Sequence, residues 1–249
     1  MKRIGERGGG KWKRVTWDEA FADLAEEFVR VVSEEGPTRV VWDNGPLFTF
    51  GAMALAEARF SYLAGNVSLD MNSEIGDAHR GVAETFGKIT FERSADDYMY
   101  SDLILIWGSN PIASNLHFWT RAQEAKRRGA RLVAIDPYRS ATAEKCHEHI
   151  APMPGTDAAL AYALMHVLIR DGHVDRDYVE RHTLGYDALA ARAGEWTPER
   201  AAALCRIPIA QIERLAHDLG TIRPSAIRVN YGMQRHAGGG NAMRAVACL

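Results

Sequence analysis

Two short apolar runs constrain this chain more than any other feature: Leu103-Ile-Leu-Ile-Trp107, and Arg131-Leu-Val-Ala-Ile135, which is apolar after its first residue. A strand that alternates apolar and polar residues has one wet face. A strand that is apolar throughout must be covered on both faces, as in parallel α/β sheets. Between the runs lies a helical pattern around His117 to Arg128, closed by Gly129. The segment therefore reads as a β-α-β unit with a right-handed crossover.

The same alternation recurs along the chain. Thr16-Trp17-Asp18-Glu19 is a capping box, followed by Phe21, Leu24, Phe28 and Val31 at helical spacing, with the helix ending at Gly36-Pro37. Arg39 to Trp42 predicts a short strand broken by Asp43-Asn-Gly-Pro46, and Met53 to Leu63 a helix that stops at Gly65. Further helices are expected from about Asp157 to Arg170 and from Pro208 to Leu219. A last strand, Ala226 to Asn230, runs into Tyr231-Gly232. The predicted fold class is α/β: a doubly wound, mostly parallel sheet with helices on both faces. From His236 the chain starts a glycine-capped helix and stops within an apolar run, so it reads as truncated.

Composition narrows the function classes. With 47% hydrophobic and 25% charged residues the chain can bury a core and carries no signature of disorder. Thirty basic against 32 acidic side chains give a net charge of −2, which removes the electrostatic argument for nucleic acid or an anionic membrane as partner. Cys146, Cys205 and Cys248 are far apart and none sits in a C-x-x-C pair, so buried thiols are expected rather than a zinc site or an iron–sulfur cluster. The opening residues contain no apolar signal core and no twin arginine. The apolar runs are too short to cross a bilayer, so no direct membrane insertion is expected, and the compartment stays open.

In open α/β sheets, ligands bind beyond the carboxyl ends of the strands. Three turns answer to that rule: Trp107-Gly-Ser-Asn-Pro111, Asp136-Pro-Tyr-Arg139 and Tyr231-Gly-Met-Gln-Arg-His236. Glycine admits a ligand close to the backbone, Ser and Asn add donors, and a strand-end carboxylate can accept from a ribose hydroxyl or a guanine amino group. Each turn alone is also an ordinary turn. No G-x-G-x-x-G stands between a strand and a helix, which disfavours a nicotinamide-dependent dehydrogenase. Asp70-Met-Asn-Ser-Glu-Ile-Gly-Asp-Ala-His-Arg-Gly81, ahead of Thr85-Phe-Gly87, packs three carboxylates and a histidine into a stretch that reads as turn-rich; its plainest reading is a solvated loop.

Taken in order, these segments resemble the molybdopterin oxidoreductases of the dimethyl-sulfoxide-reductase family along essentially all 249 residues. The resemblance rests on Lys2 to Gly8, Lys11 to Ala20, Trp107 to Pro111, Ile135-Asp-Pro137, Pro154-Gly-Thr-Asp-Ala-Ala-Leu160 and Tyr231 to His236. It implies that residues 1–249 are the central cofactor-binding α/β region of a larger multidomain catalytic subunit. Residues 1–100 would lie on the substrate and metal-ligand side and 101–249 on the guanine-dinucleotide side, with the iron–sulfur and C-terminal domains absent.

The implied cofactor is molybdenum bis(molybdopterin guanine dinucleotide), with tungsten left open, and the implied reaction is two-electron oxygen-atom transfer on a small-molecule substrate. The resemblance places Trp107, Gly108, Ser109 and Asn110 around one dinucleotide, Asp136 near a ribose or guanine, and Gly155 with Asp157 in the guanine pocket. Gly232, Gln234 and Arg235 form a further contacting turn, while the role of His236 stays open. Thr156-Asp157 also reads as a helix N-cap.

Asp77, by its spacing to Thr85-Phe-Gly87, resembles the metal ligand of the aspartate-ligated branch, which holds nitrate, selenate, chlorate and perchlorate reductases and the ethylbenzene and dimethyl sulfide dehydrogenases. Glu74 is the alternative ligand, and His79 could orient a ligand or donate a hydrogen bond. Any iron–sulfur cluster would belong to a missing N-terminal region or to an electron-transfer partner subunit. The alternative function is a cofactor-binding fragment or scaffold without turnover.

Overall fold

The computed structural model describes residues 1–43, 52–68, 72–88 and 94–249. The chain divides into two compact units, Met1–Met71 and Asn72–Leu249. The first contains an antiparallel pair, β1 (Lys2–Arg3) with β2 (Trp12–Lys13), then α1 (Trp17–Glu35), β3 (Val41–Trp42), α2 (Ala52–Ala64) and β4 (Val67–Ser68), which pairs parallel to β3. The expected capping box opens α1: Thr16 Oγ1 accepts from the Glu19 amide at 3.2 Å, and the Glu19 carboxylate accepts from the Thr16 amide at 2.8 Å. Gly36 ends the helix as predicted. Pro37–Arg39 then forms a 3-10 turn, so the strand expected from Arg39 is confined to Val41–Trp42. Most of the Asp43–Pro46 break lies outside the described residues. Phe60 packs its ring against Phe28 and Trp42 at 5.5 and 5.4 Å, joining α2 to α1 and β3.

The second unit opens with α3 (Asn72–Phe86), followed by β5 (Leu103–Trp107), α4 (Pro111–Ser114), α5 (Leu116–Arg127), β6 (Arg131–Ile135), α6 (Ala141–Lys145) and β7 (Glu148–Ile150). Then come α7 (Asp157–Arg170), α8 (Arg176–His182), α9 (Tyr186–Gly194), α10 (Pro198–Cys205), α11 (Ile209–Thr221), β8 (Ser225–Val229) and α12 (Gly239–Ala247). The division at 71/72 differs from the lobe boundary read at 100/101, because α3 packs on α12 and so belongs with the sheet-bearing unit.

The expected parallel sheet is present, in the order β7-β6-β5-β8 with every pairing parallel. All five residues of β5 are buried. Their alternation divides the core: Leu103, Leu105 and Trp107 join Val133, Ile135, Leu160, Leu164, Ile212 and Met243 on one face, while Ile104 and Ile106 join Leu132, Phe118 and Ala122 on the other. Each fully buried aliphatic side chain contributes about 1.5–3 kcal/mol. Only a strand apolar on both sides can serve two such cores, which is the doubly wound arrangement.

One expectation fails. Residues 72–81 are not the turn-rich stretch expected: they belong to helix α3, which presses Ala78, Gly81 and Val82 into the core against α12. Packing, not local propensity, decides this segment, since Gly76 and Gly81 weaken an isolated helix. Asp70 lies outside the described residues. No described helix is long and apolar enough to cross a membrane.

Candidate cofactor site at the carboxyl edge of the sheet

Register brings the three expected turns together. Trp107 is level with Ile135 on one side and Val229 on the other, so the turns after residues 107, 135 and 229 emerge at the same edge. The Gly108 amide donates to the Ile135 carbonyl at 2.9 Å. Gly108 has φ +58, and a Cβ on it would meet Met233 Cγ at 2.6 Å; a Cβ on Gly232 would meet the Gly108 carbonyl oxygen at 2.6 Å. The two turns thus touch backbone to backbone, and both positions require glycine.

Trp107 does not offer its ring to a ligand. The indole is fully buried, and its Nε1–H donates to Asp157 Oδ1 at 2.7 Å. Asp157 is the first residue of α7 and is itself buried. Thr156 precedes it at the N-cap position, but its hydroxyl donates to the Met153 carbonyl at 2.7 Å and does not cap the helix. Asp157 Oδ2 faces His236 Nε2 at 3.7 Å, and Gly155, at φ +82, lies against the His236 ring.

Asn110 is occupied within the fold: its Oδ1 accepts from the Thr142 hydroxyl at 2.7 Å, and Thr142 Oγ1 in turn accepts from the Ile112 amide. Asp136 closes its own turn, accepting the Tyr138 amide at 2.9 Å. Burial raises the Asp136 carboxyl above its ordinary range, and the neighbouring Asp157 charge adds to this, against the lowering effects of the Tyr138 amide and His149.

The last turn reaches α3. Gln234 is buried, and its Oε1 accepts from the Ala78 amide at 2.6 Å; His79 Nε2 lies 3.1 Å from the Tyr231 hydroxyl. These contacts hold the helix on which Asp77, exposed, and His79, half-buried, are carried. Glu74 falls on the same helix, with its side chain outside what is described. Arg235 is exposed. Among the described residues no three His, Cys, Asp or Glu side chains are grouped to hold a metal ion on their own. The cross-links from Gln234 to Ala78 and from Trp107 to Asp157 were not foreseen. The alternation of β5 did put Trp107 on the face of Leu103 and Leu105, but sequence offers no signal for a partner 50 residues away.

The site can bind a polar ligand carrying N–H and hydroxyl groups. Ser109 Oγ and His236 Nε2 are buried without a hydrogen-bond partner, and such groups are costly unless something satisfies them. Glycine turns, two carboxylates and unpaired polar atoms gathered at the carboxyl edge of a parallel sheet lie where α/β proteins generally bind their ligands.

The profile of the molybdopterin oxidoreductase family matches residues 1–249, and the chain belongs to that family. It is 30% identical over its whole length to the probable oxidoreductase YoaE of Bacillus subtilis, covering 37% of that protein. It is 29% identical to the dimethyl sulfoxide reductase DmsA of Escherichia coli, again over its whole length and 34% of the relative. Over 74% of the chain it is 33% identical to the chlorate reductase subunit alpha of Ideonella dechloratans, covering 20% of that protein. The fold matches acetylene hydratase from Pelobacter acetylenicus with a TM-score of 0.73 at 23% identity, over 99% of this chain and 34% of that one. The chain thus spans about a third or less of the length of these relatives. Family members are molybdenum oxidoreductases, and membership implies a molybdenum–pterin cofactor. The unpaired Ser109 hydroxyl and the acceptors at Asp157 and His236 fit the polar tail of such a group.

Proposed function

We propose that this chain is the guanine-dinucleotide-binding part of a molybdenum oxidoreductase catalytic subunit that carries out two-electron oxygen-atom transfer. The observation that carries this reading is the buried Trp107–Asp157 pair at the carboxyl edge of a parallel sheet, with the unpartnered Ser109 hydroxyl two residues after Trp107 in the same turn. The cofactor would be the bis(molybdopterin guanine dinucleotide) form, and when bound its metal supplies the two-electron redox chemistry. Asp136 and Asp157 accept hydrogen bonds from ribose and base and the Ser109 hydroxyl contacts the dinucleotide, while Gly108 and Gly232 let the two turns close on each other and so set the edge that carries these groups.

Asp77 is the proposed protein ligand to the metal, which would place the chain in the aspartate-ligated branch; Glu74 is the alternative. A hard carboxylate oxygen suits a high-valent molybdenum centre, and His79, set by Tyr231, stands two residues on to orient a ligand. The substrate class is a small oxyanion or sulfoxide, in keeping with the named reactions of the chlorate and dimethyl sulfoxide reductases. Electrons would reach the site through an iron–sulfur subunit, a reading supported by a relative that is itself one subunit of an assembly.

The test is metal analysis and turnover of the complete subunit with and without Asp77→Ala. Molybdenum bound in the parent, lost in the variant and accompanied by oxyanion or sulfoxide reduction supports the proposal. Molybdenum bound without turnover identifies a cofactor-binding scaffold, and metal unchanged in Asp77→Ala removes Asp77 as ligand.

A further inference from the structure

The geometry points to Trp107 and His236 as the residues that make the Asp157 carboxylate selective for guanine, an inference that rests on Asp157 being the base contact. Trp107 and Asp157 are both buried, so the 2.7 Å indole hydrogen bond to Oδ1 fixes the plane of the carboxylate where water competes little. Oδ2 is turned towards His236 Nε2, 3.7 Å away. The other ring nitrogen, Nδ1, lies 2.9 Å from the Ala237 carbonyl oxygen. A nitrogen facing a carbonyl carries the proton, so in neutral His236 the Nε2 atom presents a lone pair.

Oδ2, Nε2 and the second lone pair of Oδ1 are therefore acceptors grouped with one donor, the indole, already in use. Nε2 is buried and unpartnered, and Asp136 adds a further carboxylate close enough to interact with Asp157. An acceptor-only array is satisfied by a flat group bearing adjacent N–H donors. The guanine edge supplies both N1–H and the 2-amino group; hypoxanthine keeps N1–H and lacks the amino group; adenine sets a bare N1 acceptor against the carboxylate. Trp107 is thus a positioning residue, acting through Asp157, while His236 meets the base.

The experiment is calorimetric binding of GDP, IDP and ADP to the nucleotide-free chain and to Trp107→Phe, His236→Phe and Asp157→Asn. The expected order is GDP tighter than IDP and ADP weakest. Trp107→Phe should weaken GDP at least about tenfold and, like His236→Phe, compress the ratio of GDP to IDP affinity. A Trp107→Phe chain that only melts at lower temperature, with that ratio intact, overturns the inference, because a purely structural indole would behave so.

Should Trp107→Phe not fold, the indole N–H resonance of Trp107 in the unsubstituted chain decides. A shift on adding GDP and none with ADP supports the role; an unmoved resonance in a GDP-bound chain overturns it. A parent chain that binds no guanine nucleotide overturns the guanine reading of the site together with this inference. GDP binding with an unaltered ratio in the variants overturns the inference alone.

Discussion

Gly81 on α3 and Gly240 on α12 meet where the two helices cross. A methyl group on Gly81 would overlap the Gly240 carbonyl oxygen and come within 3.2 Å of the Arg244 amide nitrogen, while one on Gly240 would lie 2.8 Å from the carbonyl oxygen of Asp77. Backbone-to-backbone approach of this kind fixes the helix that carries Asp77 and His79. Alanine in a helix is favoured over glycine by about 1 kcal/mol, yet overpacking a tight contact costs about 1–3 kcal/mol. Gly81→Ala is expected to destabilise the fold on balance, which urea unfolding measures; a stabilised variant would show that the helices part easily.

Gln234 is the second fastening of α3. Loss of its buried acceptor at the Ala78 amide in Gln234→Leu should cost about 1–2 kcal/mol. If Asp77 holds the metal, molybdenum per chain should fall further than GMP per chain. Mass-spectrometric quantitation of both checks this, and an equal fall would leave Gln234 a stabilising residue only.

Glu148 ties the far side of the sheet together. It receives hydrogen bonds from Arg131 at 2.6 Å, Gln211 at 2.9 Å and Arg214. Burial pushes its carboxyl up, but the Arg214 and Gln211 hydrogen bonds and the Arg214 and Arg131 charges outweigh that and hold it below the ordinary value of 4.5. A lowered folded pKa means stability that is fully present above 4.5 and lost as pH falls through the folded value. Glu148→Gln should therefore be less stable at neutral pH by about 1–3 kcal/mol and show a shallower loss of stability on acidification. Acid titration of unfolding free energy in the two proteins checks this, and equally steep losses below pH 4.5 would contradict it.

Asp136 has the opposite sign. Its raised carboxyl costs stability when ionised, and the cost is relieved as pH falls through the folded value towards 3.8. Asp136→Asn keeps an oxygen for the Tyr138 amide. It should melt at or above the parent temperature at pH 7, with the advantage vanishing near pH 3.8. The same variant should hold less nucleotide if the carboxylate meets ribose or base, so thermal melts and nucleotide content are to be measured together.

Much of the second unit was legible because its signals are local. β5 and β6 are nearly unbroken apolar runs, and α7 occupies the predicted span from Asp157 to Arg170. The three strand-end turns followed from the parallel sheet. Helix α3 was not legible: Gly76, Gly81 and three carboxylates between Asp70 and Gly81 resemble a turn, and only Ala78 and Val82, four apart and buried, hint at a packed face. Short elements such as β7 and α8 to α10 carry too few residues for periodicity to show. Trp107 was expected to face the cofactor, because the turn it begins does; the direction of its indole is set by the core beneath α7.

The proposed guanine-dinucleotide site at this sheet edge underlies every functional assignment made above. Its most direct test is to purify the chain from a host that makes the molybdenum cofactor, release bound nucleotide with acid, and quantify it against protein for the parent and for Asp157→Ala. The parent should release GMP in stoichiometric proportion and Asp157→Ala almost none. A folded parent chain that releases no GMP, or an Asp157→Ala chain that releases as much as the parent, would contradict it.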